Sequence, residues 1–76
     1  MKEILESIIL NLVDEKDAVE INEVQGERGT VLEVKVSEND MGKVIGKQGR
    51  LAKSIRTVIK SVAAKENKRV TVEFTK

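Results

Sequence analysis

Apolar residues fall into blocks along this chain, and each block has its own period. Ile4, Leu5, Ile8, Ile9 and Leu12 recur three and four residues apart, with Glu3, Glu6 and Asn11 opposite them. That spacing predicts an amphipathic helix over residues 2–13. Leu10 falls outside the stripe and is expected at the surface, where it could serve a partner. Asp14-Glu15-Lys16-Asp17 reads as a polar loop whose three carboxylates lack the spacing of a calcium loop. Val19 and Ile21, then Leu32, Val34 and Val36, alternate with polar residues on either side of Gly26-Glu27-Arg28-Gly29. Two strands joined by a glycine-bracketed loop follow from this pattern. The apolar phase slips between Ile21 and Val24, which marks a bulge or a fraying strand end.

Farther along, Asn39 or Asp40 is placed to cap a short helix running to about Ile45. Leu51, Ile55, Val58, Ile59 and Val62 then form one stripe, with Ala52 and Ala63 on its edge and Arg50, Lys53, Arg56 and Lys60 opposite. This is a helix of about four turns. Val70, Val72 and Phe74 alternate with Thr71, Glu73 and Thr75 in a last strand. The resulting αββααβ order defines an α+β fold. Each strand has one apolar and one polar face, so all three helices are expected on one side of a three-stranded sheet. No repeat or linker interrupts residues 1–76, which are expected to form one domain. A chain of this size buries only about 60% of its unfolded surface, so its stability is expected to be modest.

Composition narrows the chemistry. The chain has no cysteine and no histidine, which removes thiolate metal sites, disulfides and the commonest general base. No apolar run reaches the length of a membrane span, and residues 1–14 carry acidic charges without a signal-peptide pattern. A cytoplasmic protein is expected. The formal net charge of +1 hides an asymmetry: residues 1–40 hold four basic side chains against eleven acidic ones, residues 41–76 ten against two. From Met41 to Lys65 there is no acidic residue at all. A segregated basic segment is the footprint of a polyanion partner.

Val44-Ile45-Gly46-Lys47-Gln48-Gly49-Arg50 lies where the short helix ends and the basic one begins. Glycines at 46 and 49 permit a sharp turn and leave main-chain N–H groups open to an anion. The N-terminus of the next helix adds its dipole and unpaired amides, and Lys47 and Arg50 add full charges. This is a phosphate seat built from backbone. A P-loop does not fit, because Gly42 to Lys47 is one residue short and Gln48 stands where a magnesium-binding hydroxyl is required. No dinucleotide fingerprint fits Gly42, Gly46 and Gly49 either. A helix-turn-helix shares the outline, with Lys53 or Arg56 facing a major groove, but the second helix is poor in residue pairs that read base edges. A plain helix–helix corner would also use a glycine, yet leaves Lys47, Gln48 and the surrounding charge idle.

The aliphatic pair Val44-Ile45 followed by Gly46-Lys47-Gln48-Gly49 and a long helix resembles the Gly-x-x-Gly motif of the KH domain. The element order is similar to the type II, prokaryotic form of that fold. Asp40-Met41-Gly42 and Arg50-Leu51-Ala52 around the motif resemble the small single-KH RNA-binding proteins of bacteria, and the likeness runs from Ile4 to Phe74. The resemblance implies a mixed sheet with one parallel strand pair. It also implies a loop that grips the backbone of about four unpaired nucleotides. Carried over by position, Gly46 and Gly49 give backbone access, Lys47 and Gln48 supply charge and hydrogen bonds, and Arg50 and Lys53 extend the phosphate track. Val44 and Ile45 line the base groove. Its far wall comes from the last strand around Val70 and Val72, with Lys68 and Arg69 at the rim.

The lone aromatic residue, Phe74, agrees with a KH groove, which is aliphatic, and not with modules that stack bases on aromatic rings. Three or four phosphate contacts give a log–log salt slope of roughly −2 to −3. So small a contact binds weakly, and weak modules gain affinity by linkage. The expected partners are therefore single-stranded RNA together with a second copy or another KH-containing protein. The Arg56, Lys60 and Ser61 side of the long helix is one candidate contact and Leu10 another. The expected role is that of an RNA chaperone or post-transcriptional regulator. No paired carboxylates or nucleophile–base sets emerge, so no enzyme, cofactor, metal, small-molecule substrate or membrane association is expected.

Overall fold

The structure is a computed structural model that describes residues 2–75. Its order is α1 (Lys2–Leu12), β1 (Glu20–Gly26), β2 (Gly29–Lys35), α2 (Glu38–Ile45), α3 (Arg50–Lys65) and β3 (Val70–Thr75). Single 3-10 turns at Lys16–Ala18 and Lys47–Gly49 join α1 to β1 and α2 to α3. This is the expected αββααβ order of a type II KH fold. The sheet runs β1-β2-β3, with β1 antiparallel and β3 parallel to the central β2. The expected parallel pair is thus β2–β3.

Cross-strand partners share a face, and the register separates the two faces cleanly. Leu32 pairs with Val72 and Val34 with both Ile21 and Phe74 on the covered side. Leu32, Val34, Val70 and Val72 are buried there with Leu5, Ile9, Val13, Val44, Ile55 and Ile59. Thr71 and Glu73 stay exposed on the other side, as a sheet covered on one face requires. Residues Glu20 to Gly26 pair one to one with Lys35 to Gly29, so the apolar slip in β1 is neither a bulge nor a frayed end. Only Ile21 of β1 is buried. The hairpin extends past the helices, so nothing fixes the phase beyond Ile21, and Val24 lies 48% exposed on the open face opposite Val31.

Two further expectations need correcting. In α3 the buried residues are Ala52, Ile55, Ile59 and Ala63, while Val58 is 47% exposed. The stripe is rotated toward the alanines, whose small side chains let the helix backbone approach its neighbours. In α1, Leu5 and Ile9 are fully buried but Ile4 is 42% exposed, and Leu10 is half-buried rather than exposed.

The start of α2 is capped by Ser37 rather than by Asn39 or Asp40. Ser37 Oγ accepts from the Asp40 N–H at 3.3 Å, satisfying a free helix-end amide. Asp40 belongs to the first turn of α2 and is buried. Its carboxylate accepts from the Asp14 N–H (3.2 Å), the Glu15 N–H (2.9 Å) and the Ser37 hydroxyl (3.1 Å). One side chain thereby ties the segment after α1 to the helix that leads into the glycine loop. The Glu15 amide does most to hold the Asp40 carboxyl below the usual carboxylate range, assisted by Asp14, Ser37 and Lys43 against the opposing effect of burial.

Candidate nucleic-acid interface

The loop between α2 and α3 is built from backbone conformations that favour glycine. Gly46 ends α2 at φ 76°, ψ −179°, with its N–H bonded to the Gly42 carbonyl at 2.9 Å. Gln48 (φ 56°) and Gly49 (φ 72°) are both left-handed, and Arg50 returns to right-handed helix. The turn closes on itself: the Gly49 N–H donates to the Gly46 carbonyl at 3.4 Å and the Arg50 N–H to the Lys47 carbonyl. No side chain caps the first turn of α3. Gln48 is held left-handed without glycine's freedom, the kind of backbone strain that gathers at functional sites.

The side chains around this loop fall into three groups. Lys47, Gln48, Arg50 and Lys53 are exposed. Arg50 Nη2 donates to Gln48 Oε1 at 3.4 Å, keeping the two polar groups together at the tip. Gly46, Gly49 and Ile45 are half-buried. Val44 is fully buried among core residues, so within the aliphatic pair Ile45 alone reaches the surface, and Val44 packs beneath it.

Charge on this side is largely uncompensated. Among the described residues the ion pairs are those of Lys43 with Asp14 and Asp40. Lys43 is thus tied to the acidic half and drops out of the basic track, which begins at Lys47. Among the described residues, Lys47, Arg50, Lys53 and Lys60 face solvent without a carboxylate partner. Among the described residues no group of histidine, cysteine, aspartate or glutamate is poised to hold a metal ion. No helix there is long and apolar enough to cross a membrane.

One residue of this surface escaped the sequence pattern. Arg56, assigned by spacing to the outer side of α3, turns back to the sheet. Its Nε donates to the Val72 carbonyl at 3.0 Å, and its guanidinium carbon lies 5.6 Å from the centre of the Phe74 ring. With Lys60 it forms one wall of a hollow whose other wall is β3 from Val70 to Val72. Periodicity places a Cα on a helix face, but a long arginine stem can carry its charge to another element.

A Gly-x-x-Gly turn between two helices, in a chain of αββααβ order with a mixed three-stranded sheet, defines the chain as a KH-domain protein. The family described as "KhpA/KhpB, KH domain" matches residues 2–74, and the chain belongs to that family. The family is non-enzymatic. The RNA-binding protein KhpA of Clostridium acetobutylicum is 63% identical over 74 residues, spanning 97% of this chain and 99% of that protein. RNA-binding protein KhpA of Clostridium perfringens is 62% identical with the same coverage. RNA-binding protein KhpA of Aquifex aeolicus is 44% identical over 97% of this chain and 94% of its own length. No solved structure matches the chain significantly.

Proposed function

We propose that this chain is a cytoplasmic RNA-binding module of one domain. It holds the backbone of short single-stranded RNA on the loop Gly46-Lys47-Gln48-Gly49. The observation that carries this reading is the coincidence of left-handed Gln48 and Gly49 with a helix start that no side chain caps and with Lys47, Arg50 and Lys53, which pair with no carboxylate among the described residues. Kinship with proteins named for RNA binding supports it. Gly46 lets the chain turn closely beneath the ligand, Lys47 and Gln48 meet phosphate, and Arg50 and Lys53 continue the track. Ile45 lies beside bases seated between the loop and β3, with Val44 supporting it.

A contact of about four nucleotides binds weakly alone, so the module acts as a dimer or beside another KH-containing protein, in the manner of an RNA chaperone or post-transcriptional regulator. The exposed Val58, with Lys60 and Ser61, offers one surface for that pairing.

Replacing both Lys47 and Gln48 with aspartate tests the loop. Titration of fluorescent single-stranded RNA should give a wild-type salt slope of roughly −2 to −3 and at least about a tenfold loss of affinity in the variant. Circular dichroism should be unchanged, because both side chains are exposed. Undiminished binding by the folded variant contradicts the loop reading.

A further inference from the structure

The face of the sheet turned away from the helices is ordered in rows across the strands. Val24, Val31 and Thr71 form the middle row, with Val24 48% exposed and Val31 half-buried. Two residues farther along each strand, Asn22, Glu33 and Glu73 form a row to one side. Gly26, Gly29 and Arg69 form the row to the other side. Gly26 pairs with Gly29, and the Arg69 carbonyl accepts from the Thr30 N–H at 2.9 Å, one position before Val70. Because Val70 and Val72 are buried beneath the helices, Arg69 belongs with Thr71 and Glu73 on the open face. The two glycines leave a hollow at this end, which Arg28, Val31, Arg69 and Thr71 help to line.

Glu33 and Glu73 are register partners, and like charges directly opposite each other on one face repel. Among the described residues neither has a cation partner, and neither Arg28 nor Arg69 has a carboxylate partner. An acidic row and a cationic row thus flank the valines at equal steps. The surface that answers this pattern is the same pattern reversed.

We propose that this face docks a second copy of the chain, sheet to sheet, about a two-fold axis that crosses the strands at the valine row. Same-face rows lie two residues apart, about 6.7 Å along the strands. The rotation therefore lays each acidic row over the other copy's glycine–arginine row, and valines over valines. Arg69 meets Glu73 of the second copy, Glu33 enters the hollow above the second copy's glycines, and symmetry forms each contact twice. Stacked sheets lie about 10 Å apart, a gap that an arginine and a glutamate span together. A two-fold axis along the strands would instead set acidic row on acidic row. Three strands about 4.8 Å apart, with seven residues in the longer two, offer roughly 330 Å² per copy, well below a standard interface. The contact is therefore weak and forms where copies are concentrated. It uses neither Val58 nor the glycine loop, and does not rest on the loop reading.

Sedimentation equilibrium of the full chain at concentrations up to about 1 mM tests this. Mass should rise with concentration, and less steeply in added salt. Arg69→Glu sets acid against acid and Glu73→Arg cation against cation, so each variant alone should associate about fivefold or more weakly. An equimolar mixture of the two variants recreates both pairs and should associate as wild type does. Both positions are exposed, so circular dichroism should be unchanged. No association of the wild type, association that neither variant weakens, or a mixture no better than its components overturns the proposal.

Discussion

A methyl group on Gly46 would sit 2.7 Å from Leu51 Cβ and 3.1 Å from the Leu51 amide nitrogen, at a φ of +76°. On Gly49 it would meet nothing within 4 Å, at a φ of +72°. Gly49→Ala therefore bears only the left-handed backbone cost of about 1–2 kcal/mol. Gly46→Ala adds overpacking against the first turn of α3, another 1–3 kcal/mol or so. Urea denaturation should rank the variants in that order below wild type, and equal midpoints would contradict the assigned packing. The two glycines are alike in the motif, but Gly46 sits at ψ −179°, a region essentially open only to glycine, and under Leu51, whereas Gly49 is left-handed helical with open space around it. Arg56 was illegible for a related reason. Its helical spacing was clear, but its destination depends on where β3 ends up.

At the scale of elements, the Asp40 carboxylate joins the turn after α1 to α2 through the Asp14 and Glu15 amides. Its pKa is lowered in the fold, chiefly by the Glu15 N–H, so the folded state favours the ionised form. That contribution is present above the unfolded value of about 3.9 and is lost as pH falls through the lower folded value. Asp40→Asn should lower Tm at pH 7, and its gap to wild type should narrow below about pH 4. A gap of constant size down to pH 2 would contradict the role. The six main elements and their order were legible because each strand and helix carries its own apolar period. The cap of α2 was not, because Ser37, Asn39 and Asp40 can all cap, and the choice follows from Asp40 being drawn inward by amides 25 and 26 residues away. The slip at Val24 misled because it lies where the hairpin outruns its helical cover, and an alternation rule holds only while a core enforces it.

For the molecule as a whole, the charge division of the sequence survives folding with one adjustment, since Lys43 joins the acidic half through Asp14 and Asp40. The exposed cations are left as Lys47, Arg50 and Lys53 at and after the loop, with Arg56 turned toward β3. The motif and its exposed cations could be found in the sequence because glycine spacing and charge are local properties. The burial of Val44 beneath Ile45 and the reach of Arg56 belong to tertiary packing and could not be.

The open face of the sheet, with Val24, Val31 and Glu73, serves as an internal control, because it lies on the side of the sheet away from the helices. The most direct measurement is an amide NMR titration of the protein with short single-stranded RNA. Shifts should concentrate at Gly46–Lys53 and along Val70–Val72, and fade with added salt. Shifts confined to the open face or to the acidic turn at Asp14–Asp17, with Gly46–Arg50 unmoved, would contradict the account.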